Sequence, residues 1–285
     1  MGEWRSGGMT YLVTGASGHV GREVTRQLAA AGHEVRAMTR TPGRTPAPDD
    51  VEVVAGDLTR PDSLDEALRG IERMYLFPVP ETASEVVARA VRAGVRRIVV
   101  LSSSSVHDET THSGAHHRAV ERAVEDSGVE WTFVRPDEFA NNLLWKWGHS
   151  IRAEGVVRAP YPEARRALIH ERDVAAVAAA ALMTDGHAGA RYELTGPELL
   201  DQPEQVARIA GVTGTGIRFE EVTPRAAREE MIRFMPEPVV EMVLAYLVES
   251  VTNPPAPLPT VEKVTGRPAT SFDQWVRDHR AQLVG

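Results

Sequence analysis

Thr14-Gly15-Ala16-Ser17-Gly18-His19-Val20-Gly21 follows an apolar run, Tyr11 to Val13, and opens a stretch in which Val24, Leu28 and Ala31 recur at helical spacing. A strand that turns through glycines into a helix leaves a chain few folds to adopt. Gly15 permits the tight turn, Gly18 lets the backbone approach a phosphate, and Gly21 allows close packing of helix on strand. Gly32 then closes the helix, and Glu34 to Thr39 reads as a second strand. This order predicts a dinucleotide at the helix N-terminus, cradled by Gly15, Ser17, Gly18, His19, Val20 and Gly21. The glycines alone would also suit a turn that binds nothing.

From Met9 to Pro136 strands and helices alternate, which predicts a Rossmann-type α/β fold with a doubly wound parallel sheet. Candidate strands are Tyr11 to Thr14, Glu34 to Thr39, Glu52 to Ala55, Arg73 to Phe77, Arg97 to Ser102 and Trp131 to Arg135. Helical patterns cover Gly21 to Ala31, Asp62 to Leu68, Ala83 to Ala93 and Ala115 to Ser127, and Gly32, Gly70, Gly94 and Gly128 stand where they should stop. Residues 137–285 are less regular. They are expected to complete the sheet and to form a small substrate lobe over its carboxyl edge, with helices at Val174 to Met183, Pro203 to Ala210 and Pro224 to Phe234 and a short strand at Tyr192 to Leu194. Met1 to Gly8 reads as an extension or an alternative start.

The chain has 285 residues, no cysteine and a formal net charge of -8. Disulfides, thiol nucleophiles and cysteine-ligated metals are excluded, and no basic run offers a footprint for nucleic acid. The apolar run Val174 to Met183 is about half of what a bilayer crossing needs, so no membrane partner is expected. With no sorting signal in view, the expected compartment is the cytoplasm. Oligomeric state is left open.

An NAD-binding chain should carry an acid about 20 residues beyond the glycines. Here the second strand runs into Arg40, with Arg44 nearby. A guanidinium there suits a 2′-phosphate, so the expected cofactor is NADP(H). Asp57, in Gly56-Asp57-Leu58, either contacts the adenine or caps a helix starting near Asp62. Leu58 and Phe77, which follow the third strand and end the fourth, complete the expected cofactor set.

Together, Thr14 to Gly21, Gly56-Asp57-Leu58, Leu101-Ser102-Ser103, Glu121, Arg135-Pro136 with Phe139 and Asn141, and Gly266-Arg267-Pro268 resemble the NmrA-like type of atypical short-chain dehydrogenase/reductase. The chain is similar in particular to actinobacterial members, some of which are ketoreductases tailoring aromatic polyketides in antibiotic biosynthesis. The resemblance implies a Rossmann core, a nicotinamide cofactor and a small C-terminal substrate lobe. Typical members carry a Tyr-x-x-x-Lys pair followed one helical turn later by a glutamate. Anchored on Glu121, the lysine position holds His117 and the tyrosine position holds Ser113. The tyrosine is missing, and a serine hydroxyl is too weak an acid to protonate an alkoxide at neutral pH.

His117, or its neighbour His116, either holds the cofactor ribose, relays a proton or has no role. Read with His107 and His112 these histidines also resemble a metal cluster, but no third ligand has clear spacing, so no metal is expected. Ser103 is the candidate donor to a substrate carbonyl, which gives Ser103, Ser113 and His117 as the catalytic candidates. Phe139, Asn142, Trp145 and Trp147 are candidates to line a substrate pocket; their aromatic segment reads equally as lobe core. These features predict an NADPH-dependent ketoreductase acting on a bulky hydrophobic or polycyclic aromatic ketone, with a non-enzymatic NADP(H) sensor and a quinone reductase as alternatives.

Overall fold

A computed structural model describes residues 9–285; Met1 to Gly8, read above as an extension or alternative start, lies outside them. The chain divides into two compact units. The first takes the residues up to Asp137 with Glu171–Leu194 and Thr260–Arg267, and the second takes Glu138–His170, Thr195–Pro259 and Pro268–Gly285.

In chain order the first unit begins with β1 (Thr10–Val13), α1 (His19–Ala30), β2 (Glu34–Thr39), β3 (Glu52–Ala55), α2 (Asp65–Leu68) and β4 (Ile71–Leu76). It continues with α3 (Ala83–Arg92), β5 (Arg97–Leu101), α4 (His112–Glu125) and β6 (Glu130–Pro136). The second unit opens with α5 (Asn142–Lys146), α6 (Gly148–Glu154) and β7 (Val156–Ala159), and the chain returns to the first for α7 (Glu171–Met183) and β8 (Ala190–Leu194). There follow α8 (Gln202–Thr213), β9 (Arg218–Glu221), α9 (Pro224–Met231) and α10 (Glu237–Thr252) in the second unit, and α11 (Thr260–Thr265) in the first. The second unit closes with α12 (Phe272–Asp278) and α13 (Arg280–Val284). No described helix is long and apolar enough to cross a membrane.

The first unit is a Rossmann-type sheet of seven parallel strands, ordered β3-β2-β1-β4-β5-β6-β8. Strand order reverses between β1 and β4, and a doubly wound sheet presents its ligand crevice at that point, beyond the carboxyl ends of the strands. On one face Leu12, Met74, Leu76, Ile98, Val100 and Phe133 pack against Val86, Val87 and Ala90 of α3 and Val120 and Val124 of α4. The other face is covered by α1 and α7, which pack on each other. Val20, Val24 and Leu28 form the buried stripe of α1. The helix stops at Gly32, whose φ of +82° lets its N–H reach Ala29 O at 2.8 Å.

Burial on both sides explains why α7 from Val174 to Leu182 is wholly alanine, valine and leucine. Its C-terminal carbonyls are met by guanidinium groups: Arg73 donates to Leu182 O, and Arg97 donates to Ala181 O (3.2 Å) and Thr184 O (2.5 Å). In the second unit β7 and β9 form a parallel pair, and Trp147, Ile151, Val157, Ile209, Trp275 and Val276 share an apolar core.

Several boundaries differ from expectation for local reasons. The helix expected over Ala115 to Ser127 starts at His112, because the Thr111 hydroxyl accepts from the Gly114 N–H at 3.0 Å and caps a turn that lacks apolar residues. The helix expected over Asp62 to Leu68 is a 3-10 turn at Pro61–Leu64 followed by α2. The short β7 and β9 and all of α10 were not anticipated. Strands of four residues give little alternation to read, and α10 is apolar around most of its circumference, which hides the helical period.

Candidate active site

The glycine turn leaves the start of α1 bare. Gly15 has φ +60°, and a Cβ there would stand 3.0 Å from Phe77 Cβ. Gly18 is the N-cap; no side chain caps α1 and no acid lies in its first turn. Because the Arg22 N–H makes the first helical bond, to Gly18 O at 3.0 Å, the amides of His19, Val20 and Gly21 have no acceptor within the helix. Exposed Ser17 and His19 flank them, whereas Val20 buries its side chain in the core. Three free amides on a positive dipole end fit a pyrophosphate. Gly21 differs from expectation: a Cβ would lie 2.3 Å from Gly15 O, so it packs on the turn itself rather than on the strand.

Arg40 follows β2 and is exposed, and its charge acts on the carboxyl of Asp57. Asp57 does not cap a helix. Its Oδ1 accepts from the Thr59 N–H (2.9 Å) and hydroxyl (2.8 Å), bonds that hold the carboxyl below its usual range and leave Oδ2 free. Leu58 is buried, and Phe77, 42% exposed, donates its N–H to Thr14 Oγ1 at 2.8 Å at the end of β4.

Beyond β5 the polar residues fall into two groups. Ser102 is buried and donates to Glu121 Oε1 at 2.6 Å; Arg135 grips both oxygens of the same carboxylate at 2.8 Å, and Arg118 adds a contact of 3.3 Å. Glu121 is therefore saturated, and it clamps β5, α4 and β6 together. The second group holds Ser103 and Ser113. Ser103 Oγ accepts from the Ser105 N–H at 3.1 Å and keeps its own hydrogen to donate, while Ser113 Oγ lies 2.9 Å from Ser105 Oγ.

His117, one turn along α4, has Nδ1 buried without a partner. Burial, with His116 beside it, pushes its pKa down to about 4, against a smaller opposing pull from Glu121. The ring is neutral at pH 7. It can share a hydrogen bond with a hydroxyl, as a ribose-holding residue would, but it is a poor proton relay there. His107 is drawn away to Glu193, at 3.0 Å.

The second unit contains a cavity of about 400 Å3. Trp145 and Trp147 line it; Phe139 and Asn142 do not. Phe139 bridges to Ile169, and Asn142 Oδ1 accepts from the Trp145 indole at 3.3 Å. The cavity also holds residues that sequence reasoning missed: Glu138, Lys146 and Arg166 on one wall, and Met231, Phe234 and Met235 on another. Glu138 is buried, with Oε1 accepting from Lys146 Nζ and Oε2 from Arg166 Nε at 3.0 Å. Burial alone would raise the Glu138 pKa, but the two cations outweigh it and keep the carboxylate ionised. Lys146, eight residues after Glu138 and at the end of a short helix, gave no signal in sequence beyond an ordinary surface lysine.

The sequence profile of a family described as NAD(P)H-binding matches residues 15–185. A (4-alkanoyl-5-oxo-2,5-dihydrofuran-3-yl)methyl phosphate reductase of Streptomyces griseus is 44% identical over 94% of this chain and 97% of its own length. An NAD(P)H azoreductase of Xenophilus azovorans is 32% identical over 95% of this chain and 98% of its own. Among solved structures, the Citrobacter sp. triphenylmethane reductase complexed with NADP(H) shares the fold with a TM-score of 0.79, at 21% identity over 95% of this chain and 99% of that one.

Proposed function

Since the chain belongs to the NAD(P)H-binding, NmrA-like branch of the atypical short-chain dehydrogenase/reductases and is an NAD(P)H-dependent oxidoreductase, we propose that it prefers NADPH and reduces conjugated acceptors without a protein acid. The observation that carries this reading is the pair at the Tyr and Lys positions. Ser113 is a weak acid whose oxygen is already engaged by Ser105, and His117 is neutral at pH 7. Neither can supply a proton to an isolated alkoxide as a tuned phenol does.

When bound, the nicotinamide supplies a hydride. The bare N-terminus of α1 would hold the pyrophosphate, Arg40 the 2′-phosphate and neutral His117 a ribose hydroxyl, and the Ser103 hydroxyl is free to donate to an acceptor carbonyl. An acceptor that spreads its new negative charge over a conjugated carbonyl needs little more, because solvent can complete protonation of the resulting enolate. Relatives support this reading. The compound named for the Streptomyces enzyme has a ring alkene conjugated to both a lactone and an alkanoyl carbonyl; an azo group is likewise a conjugated acceptor. A polycyclic aromatic ketone is a second reading, in which the substrate's own neighbouring hydroxyl hydrogen-bonds the forming alkoxide in place of a protein acid; Trp145 and Trp147 in the cavity lining favour it.

Steady-state kinetics with NADPH test the proposal. An acyl-substituted unsaturated lactone should be reduced at least about 1,000-fold more efficiently than an isolated dialkyl ketone, the range a missing general acid typically costs. Ser113→Ala should stay within about threefold of wild type. A loss near 1,000-fold in Ser113→Ala, or equal rates on the two acceptors, overturns it.

A further inference from the structure

The cavity of the second unit carries an inference that rests on the reductase reading only for the word substrate. We infer that Lys146 is a specificity residue that binds an anionic oxygen on a substrate whose remainder is apolar. An ammonium group has three donors. The Lys146 ammonium gives one hydrogen bond to protein, to Glu138, and shares that carboxylate with Arg166. Its side chain is only 14% exposed, so bulk water is a limited substitute for the missing acceptors. It also lines the cavity, where donors left over from Glu138 can meet a ligand.

The other charged groups at the cavity are already committed or less enclosed. Arg158 is held by Glu154 (2.8 Å) and Glu220 (2.9 Å). Arg166 bonds Glu138 and the Ser250 hydroxyl (2.8 Å) and lies 3.6 Å over the Tyr246 ring. His149 is exposed, and Glu230 is half-buried on α9. The Lys146 ammonium lies 5.6 Å from the centre of the Trp145 ring, and Met231, Phe234, Met235 and Leu247 also line the cavity. Methionine and aromatic side chains adapt to an alkyl chain or a flat ring. A charged donor at one end of an apolar chamber selects an amphiphile: a phosphate or carboxylate head with an apolar body.

Binding of analogues that cannot be reduced tests this without turnover. The probes are a saturated alkanoyl lactone bearing a methyl phosphate, the same lactone bearing a carboxymethyl group, and the same lactone bearing a hydroxymethyl group, each titrated calorimetrically into the full chain. Wild type should bind at least one anionic probe about 10-fold or more tighter than the alcohol, the range of a charge-assisted hydrogen bond. Whichever anion binds tighter identifies the head group. Lys146→Met should abolish that preference while changing alcohol affinity less than about threefold. Lys146→Met leaves Glu138 with Arg166 as its remaining partner, so Lys146→Gln, which keeps a neutral donor for Glu138 and leaves Arg166 paired, guards against misfolding and should lose the preference equally.

Wild type binding all three probes alike, an anion preference that survives in both variants, or a uniform loss on every probe overturns the assignment. Absence of NADPH oxidation with every conjugated acceptor, beside an intact Lys146-dependent anion preference, would sink the reductase reading and leave the anion site standing.

Discussion

At the residue scale, two glycines of one turn have opposite surroundings. A Cβ at Gly21 would collide with backbone, at 2.3 Å from Gly15 O, whereas at Gly18 the nearest contact is 3.2 Å and the rest of the space is open. Gly21→Ala should therefore destabilise the fold by about 1 to 3 kcal/mol, the usual cost of overpacking. Gly18→Val should unfold near the wild-type temperature yet lose NADPH binding; melting curves and cofactor titration on both variants distinguish the two roles. Arg40 has no hydrogen-bond or ion-pair partner among the described residues, and the charge that it feels is that of Asp57. Arg40→Ala should weaken NADPH by about 10- to 150-fold, equivalent to the roughly 1.5 to 3 kcal/mol of a charged hydrogen bond, and leave NADH unchanged. Equal losses for both cofactors would place the effect outside the 2′-phosphate. The turn and Arg40 were legible in sequence because each departs from a strict local pattern. Lys146 was not, since its burial beside Glu138 arises from residues far apart in the chain.

Elements show the same division. Gly32, Gly70, Gly94 and Gly128 all have positive φ, as helix stops require, so the alternation of the first unit can be followed along the chain. What punctuation cannot reveal is how α7 ends. Its last turn carries no basic residue of its own, and the guanidinium groups that meet its carbonyls come from β4 and β5. Arg97 is 6% exposed and also pairs with Glu130 (3.0 Å) and Asp185 (3.0 Å). Arg97→Met keeps much of the side-chain volume but leaves the Ala181 and Thr184 carbonyls short of a donor. Urea unfolding should show a loss of about 1.5 to 3 kcal/mol, as for other hydrogen bonds to charged groups. A loss below about 0.5 kcal/mol would mean that the Arg97 contacts add little to the packing that holds α7.

For the molecule as a whole, acid should act first through His117. In the unfolded chain its ring takes a proton near pH 6.5, but in the folded chain only near about 4. Between those values the unfolded state binds more protons, so folding stability rises with pH through this window, is complete above it, and falls on acidification. At pH 5 the loss should be about 1 to 2 kcal/mol, an amount that allows for partial screening by solvent. Glu138, in the second unit, adds to acid sensitivity at lower pH, because a carboxylate held below its ordinary range loses its contribution only when pH approaches that lowered value. The two groups thus predict a staged response, with His117 contributing to the shallow part between pH 6.5 and 4 alongside His187, whose pKa burial and Arg97 also lower. His117→Gln removes the titrating ring and keeps a neutral polar side chain. Its melting temperature should fall less than that of wild type between pH 7.5 and 5.0, while both proteins keep the steeper loss at more acid pH. If wild type and His117→Gln lose stability in parallel across the upper window, the ring is not held neutral by the fold, and His117 regains standing as a proton relay.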